Sequence, residues 1–258
     1  MAEVHPSAII EPGARLGAGV RVGPFCVVGP EVVLHDRVEL RSHVVVTGVT
    51  EVGEGTVVFP FTVLGEIPQD LKFAGEKTRL VIGRRNRIRE HVTMNTGTAG
   101  GGGVTRIGDD GLFMAGCHIA HDVTVGNRVI VVNSSAIAGH CVLGDDVIVG
   151  GLSGVHQWVR IGQGAIIGAC TMVTADVIPH GLVHGPRGEL EGLNLVGLKR
   201  RGVARDDIAA LRAAFEALRD GDGAFADRVR ALDTAPALVR ELVDFVLAPS
   251  HRQFLTPG

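Results

Sequence analysis

Four of the chain's eleven histidines, His118, His121, His140 and His156, crowd into one short stretch. Imidazole titrates near neutrality, so a placed histidine can take a proton from an alcohol and return it to a leaving group. Asp122 follows His121 directly, which puts a carboxylate where it could orient a base. Two other readings of these residues stay open: a metal site, because histidine is the commonest zinc ligand, and polar turn residues that merely stack. More charge sits at Asp70 and Lys72, and again at Lys199, Arg200 and Arg201. The glycine run 97–103 lacks the lysine and following helix of a phosphate loop. The four cysteines form no C-x-x-C pair, which suits reduced thiols, and Cys117 and Cys141 read as packing.

A repeat must position these groups. Counting in sixes from Val4, the leading residue is aliphatic at Ile10, Leu16, Val22, Val28, Leu34 and on to Leu64. The frame resumes at Ile82, Ile88 and Met94, and again from Ile107 through Ile119, Ile137, Val155 and Ile167 to Val173. Glycine often follows the leader, and the fourth residue after it is small or β-branched. One inward aliphatic per hexad, with a short strand and a turn, closes three hexads into a triangular coil whose strands stack ~4.8 Å apart. His121, His140 and His156 lie in hexads three apart, so they are expected as a column on one edge spanning ~10 Å. Three such rings cannot converge on one zinc at ~2 Å, and no acid or thiol is expected to join them, so no metal is expected within one chain. An ion bridged between subunits stays open.

The repeat breaks at about 66–79 and 97–103, read as extruded loops, and ends near Pro179. A helical pattern follows: Ile208, Leu211, Phe215 and Leu218 share one face behind Asp206 and Asp207. A short helix around Val229 and a last one over 235–247 complete the tail. The expected fold is an all-β solenoid, a parallel β-helix over 1–186, with a small C-terminal α-helical domain over 187–258. Aromatics at 4% and no tyrosine suit a narrow aliphatic interior. A net charge of −3 argues against a nucleic-acid surface. No signal peptide and no membrane span is read, and with reduced thiols a cytoplasmic location is expected.

Five segments make a specific resemblance: Gln69 to Glu76, Asn86 to Glu90, His118-Ile119-Ala120-His121-Asp122, Val155-His156-Gln157-Trp158 and Gly197-Leu198-Lys199-Arg200-Arg201-Gly202. Together, and in order from about residue 4 to 205, the chain resembles the UDP-N-acetylglucosamine O-acyltransferase family of hexapeptide-repeat enzymes. The resemblance implies a left-handed β-helix and a homotrimer with sites between neighbouring subunits. It implies transfer of an (R)-3-hydroxyacyl group from acyl carrier protein to the 3-hydroxyl of UDP-N-acetylglucosamine, the first step of lipid A synthesis, with no cofactor. His121 would be the base, Asp122 its orienter, and the Gly139 N–H the oxyanion donor, a contact worth roughly 3 kcal/mol in typical enzymes. His118, His140 and His156 would bind sugar, diphosphate or acyl hydroxyl, and Asp70 and Lys72 would line the sugar pocket. Gln157, Asn194, Arg200 and Arg201 would meet nucleotide or carrier protein, and Ala169 would stop the acyl chain.

The sequence departs from that family at Asn95-Thr96, where some members carry His-Arg, and at Val196, where many carry an acid. Two alternatives follow. One is a related acyltransferase on the same fold, including N-acyl transfer to a 3-amino sugar, since some members prefer that acceptor. The other is a non-catalytic scaffold, which leaves the histidines and the Asp70–Lys72 loop without purpose.

Overall fold

The computed structural model describes residues 1–257. Each strand of the coils is two to four residues long and pairs in parallel with the strand one coil on, as Glu3 does with Arg21 and Ile130 with Ile148. The result is a left-handed parallel β-helix with three faces of eleven, nine and eight strands. The hexad leaders point inward: from Val22 to Val173 they are buried. Val4 is 41% exposed because no coil lies beneath the first one.

Sharp corners follow from the hexad. The third residue after most leaders takes a left-handed conformation, at φ 59° for Asp122, 63° for His140 and 67° for Trp158. For a non-glycine residue this costs about 1–2 kcal/mol, which stacking must offset. The small fourth position turns into the corner and satisfies it. Thr56, Ser135 and Ser153 donate to the carbonyls of Gly83, Gly150 and Gly168 at 3.1, 2.7 and 2.9 Å. Cys141 does the same toward His156. Burial pushes the Cys117 and Cys141 thiols up to about 12, so they stay protonated packing groups.

Both breaks in the repeat leave the coils as loops. One runs from Ile67 to Thr78, between strands Val63–Glu66 and Arg79–Ile82. The other carries a 3-10 turn, Ala99–Gly101. Past the last hexad, an antiparallel hairpin of Gly181–His184 and Glu189–Leu193 extends the first face. The expected division at residue 186 falls inside its turn. Four helices follow: α1 (Leu195–Arg200), α2 (Arg205–Asp220), α3 (Phe225–Arg230) and α4 (Ala237–Leu247). The expected face of α2 is the buried one. α4 starts two residues later than expected, after Pro236. One buried pair locks the tail to the coils. Arg160 donates to Asp176 at 2.7 Å, and its guanidinium lies over the rings of Phe245 and Phe254. No helix is long and apolar enough to cross a membrane.

Candidate active site

The corner that follows the second face builds the site. The strand His118–Ile119 ends there, and the left-handed turn at Asp122 swings the His121 ring against that carboxylate. His121 Nδ1 lies 2.8 Å from Asp122 Oδ2, and both side chains are buried. An ionised carboxylate only accepts, so Nδ1 carries the proton and Nε2 keeps its lone pair. Asp122 is itself held: Thr98 donates its N–H to Oδ1 at 2.9 Å and its hydroxyl to Oδ2 at 2.6 Å. Thr105 accepts the Asp122 N–H at 2.8 Å.

The glycine loop therefore supports the acid–imidazole pair. A Cβ at Gly101 would fall 2.1 Å from the Asp122 carboxyl carbon, so only glycine lets the loop close over it. Gly139 is tight in the same way, with a Cβ there lying 2.5 Å from His121 Cε1. The Gly139 N–H has no acceptor among the described residues. At the third corner the equivalent amides are taken by side chains of the next coil, as Arg84 N–H is by Asp109 and Asn127 N–H by Asp145.

A cavity of about 420 Å³ opens beside these groups, lined by His118, His121, Gly139, His156, Gln157 and Gln69 of the first loop. Its floor is apolar. On the outer side of the second face His118, Ala136, Gly154 and Met172 stand in register on successive strands. A larger depression of about 660 Å³ lies near the N-terminal end, around Arg21 and Glu39. Those two charges already pair, so the smaller cavity is the chemical one.

The expected column of histidines is rearranged. His121 meets His140 edge-on at 4.9 Å, but the next ring is Trp158, stacked on His140 at 3.9 Å. His156 stands two residues before the corner position and turns to the cavity instead. Against expectation, an acid does join the imidazoles: one ligand atom each from His121, Asp122 and His140 lie within 4.8 Å of one another, close enough to hold an ion. His118 Nδ1 sits 2.7 Å from the Thr93 hydroxyl. Burial lowers the affinity of His118 and His140 for protons; for His140 the Asp122 charge opposes this.

Asp70 accepts the Lys72 N–H at 3.0 Å, and Lys72 is exposed with no ion pair among the described residues. Asn194, Arg200 and Arg201 lie outside the cavity. The Asn194 carboxamide caps α1 through Gly197 N–H and donates to the Gly164 carbonyl, both at 2.9 Å. Arg201 reaches His180 Nδ1 at 3.2 Å. These contacts sit at the third corner, and Arg200 is exposed on α1. Ala169 does not line the cavity either. It lies at the first corner, whereas Met172 lines the floor. Thr98, Thr105 and Met172 were not among the expected site residues, because Thr98 and Thr105 reach Asp122 only across coils and Met172 occupies an ordinary hexad slot.

Comparison with known proteins gives a consistent picture. A family model described as UDP N-acetylglucosamine O-acyltransferase, domain 2, matches residues 176–254. The bacterial transferase hexapeptide model matches 13–48 and 140–175. An acyl-(acyl-carrier-protein)–UDP-N-acetylglucosamine O-acyltransferase of Paracoccus denitrificans is 70% identical over 78% of this chain and 77% of its own length. The protein of that name from Agrobacterium fabrum is 44% identical over 100% of the chain and 96% of its own length. A crystal structure of UDP-N-acetylglucosamine acyltransferase superposes with a TM-score of 0.95 at 37% identity, covering 99% of both chains.

Proposed function

The chain belongs to the UDP-N-acetylglucosamine O-acyltransferase family, and from that footing we propose that His121 is the base of its acyl transfer. It is an acyltransferase that acylates UDP-N-acetylglucosamine from acyl carrier protein, the first step of lipid A biosynthesis. The observation that carries the residue assignment is the His121–Asp122 pair beside the free Gly139 amide in an apolar cavity. His121 Nε2 takes the proton of the sugar 3-hydroxyl as that oxygen attacks the thioester carbonyl. The oxyanion forms against the Gly139 N–H, a donor of a kind worth roughly 3 kcal/mol. Collapse expels the carrier's thiolate, which recovers the proton from His121.

The acyl group is an (R)-3-hydroxyacyl chain lying along Ala136 and Gly154, with Asp70, Lys72 and His118 near the sugar and His140 behind the base. The active species is a homotrimer in the cytoplasm. Separation within one chain supports the trimer. The base and amide occupy the second corner, while Asn194, Arg200 and Arg201 sit at or near the third. Only a neighbouring copy can bring basic residues of that corner to a nucleotide held at His121. The test is incubation with UDP-N-acetylglucosamine and a series of 3-hydroxyacyl carrier proteins, read as product mass. One added hydroxyacyl group in ester linkage, absent with His121→Ala, is expected. An unmodified sugar nucleotide under all donors would overturn the assignment.

A further inference from the structure

The end of the chain returns to the cavity. After α4, residues 250–255 cross the last coils, pinned by backbone and side-chain bonds to one buried acid. Asp176 N–H donates to the Gln253 carbonyl at 2.7 Å, and Leu255 N–H to the Asp176 carbonyl at 2.9 Å. The Ser250 hydroxyl donates to Asp176 Oδ2 at 2.6 Å. His251 packs on Trp158 with centroids 4.5 Å apart, which continues the stack that starts at His121 and His140. Between these anchors Arg252 reaches the cavity wall. Its Nη2 lies 2.5 Å from His156 Nδ1, and its Nε–H donates to the Gln157 carbonyl at 2.9 Å.

A guanidinium offers donors and no acceptor. His156 Nδ1 therefore accepts, and the proton of the neutral ring sits on Nε2, the nitrogen left for the cavity. His121 is set the other way by Asp122, with the proton on Nδ1 and the lone pair on Nε2. Within the chain, the other partner offered to His156 Nδ1 is the Gln157 carbonyl at 3.4 Å, an acceptor that favours the opposite tautomer. Arg252 occupies both the ring nitrogen and that carbonyl.

We propose that Arg252 is a positioning residue that fixes His156 as an Nε2–H donor, so that the cavity holds one base and one hydrogen-bond donor in place of two competing bases. The donor then meets a substrate oxygen. That last step rests on the acyl-transfer reading above; the tautomer itself does not.

Two measurements on the full chain test this. The first is long-range proton–nitrogen correlation of ¹⁵N-histidine protein without substrate, with His156 assigned by its loss in His156→Gln. Wild type should show the Nε2–H pattern, and Arg252→Ala should shift His156 toward Nδ1–H. A wild-type Nδ1–H signal, or one unmoved in Arg252→Ala, overturns the proposal. The second is a double-mutant cycle on turnover. Arg252→Ala should lower kcat about tenfold, the size of one lost charge-assisted hydrogen bond, with Arg252→Lys recovering part of it. In a His156→Ala background the same change should cost nothing further. An equal loss in both backgrounds means that Arg252 acts by another route and overturns the proposal. If the wild type makes no acylated sugar nucleotide, the function fails while the tautomer result stands.

Discussion

At Gly139 one hydrogen atom separates a working ring position from a blocked one. An added Cβ would lie 2.5 Å from His121 Cε1 and 2.7 Å from Nε2, so the ring must rotate away from Asp122. Gly139 has no positive φ, and alanine carries no backbone strain there. Gly139→Ala should therefore stay folded with a lowered melting temperature, because a buried hydrogen bond is lost, and lose on the order of 10²-fold in kcat, the usual cost of about 1 Å of misplacement at a reacting group. Turnover near wild type would show that the ring has another way to serve. The buried imidazoles give a second test. Burial lowers the folded-state proton affinity of His118 and His140, so on acidification the unfolded chain binds protons first. Their contribution is intact above pH 6.5, the ordinary value, and is lost as pH falls below it. Melting temperature should drop between pH 7 and 5, and less steeply in His118→Gln. A flat profile in wild type would contradict burial as the cause. The adjacency of His121 and Asp122 was legible in the sequence because it is local. Thr98 and Thr105 were not, since both reach Asp122 across coils from a loop and a strand with no motif of their own.

At the scale of elements, the period of six was legible along the coils because the leaders above the first coil must be buried for stacking to work. What followed the repeat was harder. The hairpin Gly181–Leu193 extends a face without any hexad leader, and it is held by backbone pairing that side-chain periodicity does not record. Arg160 and Asp176 lie in different segments, so their closure over Phe245 and Phe254 left no local trace. On the proposed acyl path the second face carries a length limit. Ala136 and Gly154 leave its outer row low, and a Cβ on Gly154 would meet Met172 Sδ at 2.9 Å, so the thioether lies over the end of that row. Ala169, the residue expected as the stop, lies around the corner from this floor. Met172→Gly should shift donor preference to longer acyl chains, at ~0.8 kcal/mol or about fourfold per added methylene. Ala169→Gly tests the first corner as the stop in the same way, and there too the expected shift is to longer donors. Paired-donor competition read by product mass separates them, and a shift confined to Ala169→Gly would place the stop at the first corner alone.

The whole molecule is a prism, and its candidate groups sit on two different edges. His121, Asp122 and Gly139 occupy the edge after the second face. Arg201 hydrogen-bonds to His180 on the edge after the third, at the base of the helical tail. A rigid stack of coils cannot bend one edge to the other, so on the proposed reading a single chain offers half a site at each. In the proposed homotrimer, copies packed edge to edge around a threefold axis would complete three sites, and a heterologous contact of that kind closes into a ring. This makes a sharp prediction for mixed assemblies. One variant, His121→Ala, spoils the second edge; another, Arg201→Glu, spoils the third. Each alone should be nearly inactive. Co-expressed in equal amounts, a site needs an intact base from one chain and an intact arginine from its neighbour. Each is present half the time, so about one quarter of wild-type activity should return. If each chain worked alone, every site would carry one defect and the mixture would stay as dead as its parts, which would end the shared-site reading.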